Sequence, residues 1–258
     1  MRKKIVFLGA GNVATQLSVA LSGAGNEIVS IYSRTEKSAQ LLGEKINSNY
    51  TFKIEEIPSD ADIYFLTVPD LVSESLISDI PSNNGMLVHC SGSLDIDIFK
   101  NKTKNYGVFY PLQTLSKLNS VNFTEVPVCI EANNTINQDI LHNLAKQIST
   151  DVRLIDTETR KYLHLAGVFA CNFVNHMYSI ADNILKDKKI KNDILFPLIE
   201  ETMKKALSLG PENIQTGPAI RNDKNIIKKH LELLSFYPEF QNLYKILSKS
   251  ISDYHSDR

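Results

Sequence analysis

The sequence predicts an α/β chain in which a doubly wound, mainly parallel sheet is followed by an all-helical second part. Three observations carry this reading. Over residues 1–156, short apolar runs alternate with segments of helical period. A glycine-bearing turn separates the first apolar run from the first helical segment. Beyond Asp156 no run has the character of a strand. Strands that alternate with helices require crossover connections, and these place parallel strands between helical layers.

The elements follow in order. Ile5 to Leu8 reads as a buried strand, and Val13 to Leu21 as a helix with Val13, Leu17 and Ala20 on one face. Glu27 to Tyr32 is a second strand and Glu36 to Ile46 a second helix. Ile63 to Val68 is a strand ended by Pro69-Asp70, and Met86 to His89 and Gly107 to Tyr110 are two more. Val126 to Glu131 is a strand, Ile136 to Ile148 a helix and Val152 to Ile155 a last strand. Thr157 to Lys186 then reads as one helix of about eight turns. Asp193 to Leu209, Asp223 to Leu234 and Pro238 to Ser252 are further helices. Gly210-Pro211 stops the first of these three.

Charge changes at the same place as pattern. Residues 1–156 hold 13 Lys and Arg against 17 Asp and Glu, and residues 157–258 hold 15 against 12. The boundary is therefore expected near Asp156, giving parts of 1–156 and 157–258. The chain of 258 residues has a net charge of −1, which gives no general attraction to nucleic acid or to an anionic membrane surface. Its 43% hydrophobic content suits a buried core. The apolar run after Met1-Arg2-Lys3-Lys4 is too short for a signal peptide or a membrane span. Cys90, Cys129 and Cys171 are widely spaced and never form a Cys-x-x-Cys pair. Reduced thiols in a cytoplasm are expected, with no zinc site and no other metal cluster.

Gly9-Ala10-Gly11-Asn12-Val13-Ala14 lies between the first strand and the first helix. This is the Rossmann-like G-x-G-x-x-G/A turn, with Ala14 in the third small position. Gly9 permits the sharp bend, and Gly11 leaves room for a pyrophosphate. Ala14 lets helix and strand pack closely. The helix N-terminus offers free N–H groups and a partial positive charge. At the end of the second strand, where an acid would hold the 2′-hydroxyl of NAD, stand Ser33, Arg34 and Thr35. A guanidinium and two hydroxyls suit a 2′-phosphate, so the expected cofactor is NADP. Thr67, Val68 and Pro69 end another strand at the ligand-binding edge and are expected near the nicotinamide ribose.

On the substrate side, His89-Cys90-Ser91-Gly92-Ser93 follows a strand, and Ser91 can offer a hydroxyl to a carbonyl or carboxylate. An ordinary turn is the alternative there. Cys90 is read as a small buried hydrophobe. At 100° per residue, His164, Asn172, Asn175, Ser179 and Asp182 share one stripe of the long helix, among strongly apolar neighbours. Burial of that stripe is expected, with a substrate and a nicotinamide amide as partners. His164 then gives or steers a proton, Asn172 orients the carbonyl or the imidazole, and Asn175 touches substrate. A purely structural stripe is the alternative. Phe109 to Thr114 ends a strand with groups able to face the ligand. Thr216 to Asp223 opens a helix, with Asp223 as N-cap and Arg221 available to an acidic substrate or a partner subunit. His142, His230 and His255 are expected on the surface.

The first part resembles the NADP-binding half of pyrroline-5-carboxylate reductase and of the deazaflavin-dependent NADP reductases. The likeness rests on Phe7 to Ala14 and on Ser33-Arg34-Thr35. The whole chain resembles a family of NADP oxidoreductases in which a Rossmann-like domain is joined to a helical domain of unknown function. His89 to Ser93, Pro111 to Thr114, His164 through Asn172, and Gly217-Pro218 with Arg221 and Asp223 carry that second likeness. It implies a helical part like that of 6-phosphogluconate dehydrogenase relatives, and a homodimer formed through it. β-Hydroxyacid dehydrogenases carry a catalytic lysine on the corresponding helix, and no lysine lies between Lys161 and Lys186 here. The expected activity is reduction of a small carbonyl or imine compound by hydride transfer in a cleft between the two parts. A non-catalytic NADP(H) sensor is the alternative.

Overall fold

A computed structural model describes residues 2–256 of the chain. The chain divides into two compact units, Met1–Cys171 and Asn172–Arg258. The division lies fifteen residues beyond the change of pattern at Asp156. The reason is a buried arginine, described below, which ties the helix after Asp156 to the sheet.

The first unit is built on strands β1 (Lys4–Leu8), β2 (Glu27–Tyr32), β3 (Asn49–Thr51) and β4 (Ile63–Leu66). Strands β5 (Met86–His89), β6 (Tyr106–Pro111), β7 (Val128–Ala132) and β8 (Val152–Leu154) complete it. They form one sheet in the order β3-β2-β1-β4-β5-β6-β7-β8. Every neighbouring pair is parallel except β6 with β7. The segment joining those two carries only a single 3-10 turn, Phe123–Glu125, and no α-helical crossover, so the chain returns antiparallel. Helices α1 (Asn12–Gly23), α2 (Glu36–Ile46), α3 (Ser73–Asp79), α4 (Thr135–Ala145) and α5 (Thr157–Gly167) join or flank these strands.

The apolar runs that predict strands are buried on both faces. Ile5, Phe7, Ile63 and Phe65 belong to one core cluster, while Val6, Leu8, Tyr64 and Leu66 belong to the other. That division follows the two-residue period of a strand and explains why the runs show no polar alternation. Phe7 stacks on Phe65 with ring centroids 5.2 Å apart, and Phe109 meets Phe65 edge-on.

After β1 the chain runs outward through β2 and β3, then crosses to β4 on the other side of β1. This reversal opens a crevice at the carboxyl ends of β1 and β4, the place where open α/β sheets bind ligands.

The second unit is helical. It holds α6 (Val174–Asp187), α7 (Phe196–Leu209), α8 (Lys224–Leu233) and α9 (Pro238–Ser256). Asp223 caps α8 by accepting from the Ile226 N–H at 3.1 Å, as its sequence position predicts. Gly210, at φ +83°, ends α7. His230 departs from expectation: it is half-buried, with Nδ1 2.8 Å from the Tyr244 hydroxyl.

The long helical run keeps its expected extent, Thr157 to Asp187, but not its expected regularity. Between α5 and α6 the backbone takes a π-helical turn over Val168–Phe173. A π turn advances through a smaller angle per residue, so a stripe counted at 100° per residue does not carry through it. The stripe is not buried either. Asn172, Asn175 and Ser179 are exposed, and Asp182 pairs with Lys186 at 2.7 Å. Nor do its apolar neighbours form a core, since Leu165 is 51% exposed.

Candidate functional site

The glycine turn is fixed from both sides. The Gly9 N–H donates to the Tyr32 carbonyl on β2 at 2.8 Å. The Thr67 N–H donates to the Leu8 carbonyl, and the Thr67 hydroxyl lies 3.2 Å from the carbonyls of Leu8 and Gly9. Gly9 has φ +123°, and a Cβ there would stand 2.6 Å from the Thr67 carbonyl oxygen. Only glycine meets both conditions.

Gly11 answers to a different need. Its backbone is extended at φ −82°, and a Cβ would find only the Thr67 oxygen, at 3.7 Å. Nothing within the chain demands glycine there. The space it leaves lies before the first turn of α1, whose N-cap provides no side-chain hydrogen bond and whose first turn holds no acid. Asn12, Val13 and Ala14 form that turn, and Ala14 is fully buried. Open N–H groups over an empty step are what a pyrophosphate requires, so the turn fits the group the sequence predicts.

An open cavity of about 380 Å³ brings together the predicted cofactor residues other than Asn12, Val13 and Ala14 of the α1 turn. Gly9, Gly11, Ser33, Arg34, Thr35, Thr67, Val68 and Pro69 all line it. Arg34 is exposed and, among the described residues, no carboxylate pairs with it. The cavity also takes in Ile54, Val72, Ser75, Leu76 and Asp79, which sequence reasoning missed. They come from α3 and from short 3-10 segments, which leave no periodic signal.

Past Pro69 a second polar group follows the sheet edge. The Ser91 hydroxyl donates to Asp70 at 3.0 Å and accepts from the N–H groups of Ser93 and Leu94 at 3.0 and 3.1 Å. Ser93 also donates to Asp70. The Ser91 hydroxyl, expected to meet a carbonyl or carboxylate, thus takes part in building this turn. Gly92, inside the turn, lies against His164, where a Cβ would stand 2.6 Å from imidazole Cγ and Nδ1. The Tyr110 hydroxyl at the end of β6 is 3.1 Å from the same Nδ1. Burial raises the Tyr110 phenol above its ordinary value. His164 is half-buried and belongs to the first unit, whereas Asn172 and Asn175 belong to the second and are exposed.

Behind this group lies Arg160, fully buried one turn before His164 on α5. Its guanidinium donates to Glu131 on β7 and to the Leu94 carbonyl, and lies 3.2 Å from the Thr157 hydroxyl. Thr157 in turn donates to Glu131 at 2.8 Å. His89 is also fully buried, and its Nδ1 accepts from the Ser91 N–H at 3.2 Å. Burial first, and then the Arg160 charge, pull its pKa down to about 3. Cys90 is buried and its thiol is pushed well above the ordinary range, as suits an inert core residue. A basic residue four places before a histidine in the first turns of a helix was the sequence signal for the Arg160 anchor.

Comparison with known proteins gives the following. Residues 4–91 match the family described as NADP oxidoreductase coenzyme F420-dependent, and residues 126–251 match a domain of unknown function, DUF2520. Among curated proteins none matches the chain. A Bacteroides fragilis protein of known structure, provisionally described as an NADP oxidoreductase, is 42% identical over 98% of both chains, with a TM-score of 0.94. A Thermotoga maritima protein is 21% identical over 96% of this chain and 99% of its own, with a TM-score of 0.76. An imine reductase from Myxococcus stipitatus, solved with NADP+, shares the fold at 12% identity and a TM-score of 0.66, over 98% of this chain and 93% of its own. With its two matched regions and its full-length likeness to the Bacteroides protein, the chain belongs to the NADP oxidoreductase family that joins an F420-dependent-type NADP oxidoreductase domain to a DUF2520 domain.

Proposed function

We propose that the chain reduces a small carbonyl or imine compound with NADPH. The observation that carries this reading is the single cavity shared by the glycine turn, Ser33-Arg34-Thr35 and Thr67-Val68-Pro69. It has the three parts a phosphorylated dinucleotide needs. The α1 N-terminus and Gly11 take the pyrophosphate. Arg34, with the hydroxyls of Ser33 and Thr35, takes the 2′-phosphate through charge-assisted hydrogen bonds. The end of β4 directs the remaining half toward Asp70 and the Ser91 turn. When bound, the reduced nicotinamide supplies a hydride, two electrons with one hydrogen nucleus, to an electrophilic carbon. The chain's own part is to hold the partners and to meet the charge that develops on oxygen or nitrogen. His164 is assigned to that task. Asn172 and Asn175, whose amides both donate and accept, are assigned to orienting the substrate.

Removing Arg34 tests the cofactor reading. Arg34→Ala is expected to weaken NADPH by about ten- to a hundredfold, the worth of a charged hydrogen-bonding contact, while NADH changes little. An equal loss for both dinucleotides removes Arg34 from phosphate recognition.

A second reading, a sensor that binds NADP(H) without turnover, is favoured by the absence of lysine between Lys161 and Lys186. NADPH oxidation measured over ketoacids, aldehydes and cyclic imines separates the two. Tight binding with no turnover across that panel supports the sensor.

A homodimer through the helical unit is part of the proposal. Leu198, Leu207, Leu233 and Phe236 are exposed there, which a covering surface would relieve. Sedimentation at micromolar concentration reads the assembly. A cytoplasmic setting is proposed from the three free thiols.

A further inference from the structure

We propose that Tyr110 is the positioning residue of His164: its hydroxyl donates to Nδ1 and keeps the proton of the neutral imidazole on Nε2, the nitrogen left for the substrate. Among the described residues, the hydrogen-bond partner of the Tyr110 hydroxyl is His164 Nδ1, at 3.1 Å. In the proposed assignment the hydroxyl is the donor and Nδ1 the acceptor. A ring nitrogen that accepts carries no hydrogen, so the neutral ring holds its proton on the other nitrogen. Nε2 makes no hydrogen bond among the described residues.

The ring is held from three directions. Tyr110 approaches edge-on from β6, with ring centroids 6.2 Å apart and planes at 75°. Gly92 lies against Cγ and Nδ1 so closely that a methyl group there would stand 2.6 Å away. Arg160, one helical turn earlier, fastens α5 to the Leu94 carbonyl and to Glu131 on β7. The same turn that presents Gly92 to the imidazole is thus tied to the helix that carries it. Neither Gly92 nor Tyr110 stands out in the sequence as a partner of His164. The fold brings them together from residues 72 and 54 positions away.

The arrangement has a chemical consequence, which rests on the reading of His164 as the proton-giving group. As the substrate's oxygen or nitrogen becomes anionic, Nε2 passes its proton to that atom. Nδ1 takes the phenolic proton in the same step, and Tyr110 is left as phenolate. One proton has left the pair and one has reached the substrate. Water then protonates Nε2, and Nδ1 returns its proton to the phenolate, which restores the starting state. An alkoxide is about as basic as hydroxide, with a conjugate acid near ~15.7, so a phenol near ~10 remains the stronger acid. Burial raises the Tyr110 value, which keeps the hydroxyl protonated, ready to donate, at rest.

Imidazole nitrogen shifts test the assignment directly. Long-range 1H–15N spectra are recorded on the full chain labelled with 15N-histidine, about two pH units above the ordinary histidine value. The His164 signals are identified by their loss in His164→Gln. The native chain is expected to show a protonated Nε2 and a bare, hydrogen-bonded Nδ1. Tyr110→Phe is expected to collapse these into the averaged shifts of two exchanging tautomers, and Gly92→Ala to displace the same signals. A proton on Nδ1 in the native chain overturns the assignment, and so does a Tyr110→Phe spectrum that matches the native one. The native spectrum decides the first point even where a variant fails to fold. The spectra need no turnover, so a chain that oxidises no NADPH counts against the proposed reaction, while the tautomer stands or falls on the shifts.

Discussion

Glycine is needed for two different reasons in this chain, and Gly9 and Gly11 separate them. At Gly9 both the positive φ and the 2.6 Å approach to Thr67 exclude a side chain. Gly9→Ala is expected to cost about 2 kcal/mol or more of folding stability, read as a lower urea midpoint. Gly11 has ordinary φ and open space around its Cβ position. Gly11→Ala should leave the urea midpoint almost unmoved while NADPH affinity falls at least about tenfold, since the methyl occupies the phosphate's step. Native-like NADPH binding by Gly11→Ala would show that the phosphates lie elsewhere. His89 gives a pH prediction with a definite sign. Its folded pKa of about 3 lies below the ordinary unfolded value of about 6.5. Between those values the unfolded chain binds the extra proton, so folding stability rises with pH across the window and is lost as pH falls from about 6.5 toward 3. The loss is of the order of several kcal/mol. His89→Phe should flatten that part of the stability profile, and an unchanged slope would show that other groups carry it.

At the scale of elements, α5 is held by one buried ion pair. Arg160 is fully buried, and the Glu131 side chain is 17% exposed. Arg160→Met leaves a nearly buried carboxylate without its partner and should cost about 3–5 kcal/mol in urea unfolding. Adding Glu131→Leu should recover much of that loss, because two apolar groups replace two charges. A double variant no better than the single one would show that Arg160 acts through packing and through the Leu94 carbonyl. The long or strongly apolar elements were legible in the sequence. α2 matches its expected bounds, and the strands up to β5 that bury both faces stand as continuous apolar runs. β3 was not legible, because Asn49-Tyr50-Thr51 is a three-residue edge strand with a mostly polar surface. Nor was α3, seven residues placed among Ser and Asp. The π turn at Val168–Phe173 follows from backbone packing that residue periodicity does not encode. The residues proposed to hold the dinucleotide were readable as a group because they sit at strand ends and in a fixed motif. The Tyr110–His164 pair was not, because it depends on how β6 and α5 meet in space.

For the whole molecule, the fold divides the work. The glycine turn, Ser33-Arg34-Thr35 and the His164 group all lie on one compact unit, Met1–Cys171. The domain of unknown function matched over residues 126–251 takes in the last two strands of the sheet as well as most of the helical unit. Among the described residues no helix is long and apolar enough to cross a membrane, and the net charge of −1 offers no broad electrostatic footprint. In the proposed reading, recognition comes from local groups, above all Arg34 and the α1 N-terminus. Calorimetric titration of the full chain with NADPH and with NADH tests this most directly. The account predicts one saturable NADPH site per chain, at least about tenfold tighter than NADH, the difference a charged contact to the 2′-phosphate supplies. Heat absent with both coenzymes, or NADH bound as tightly as NADPH, would contradict it.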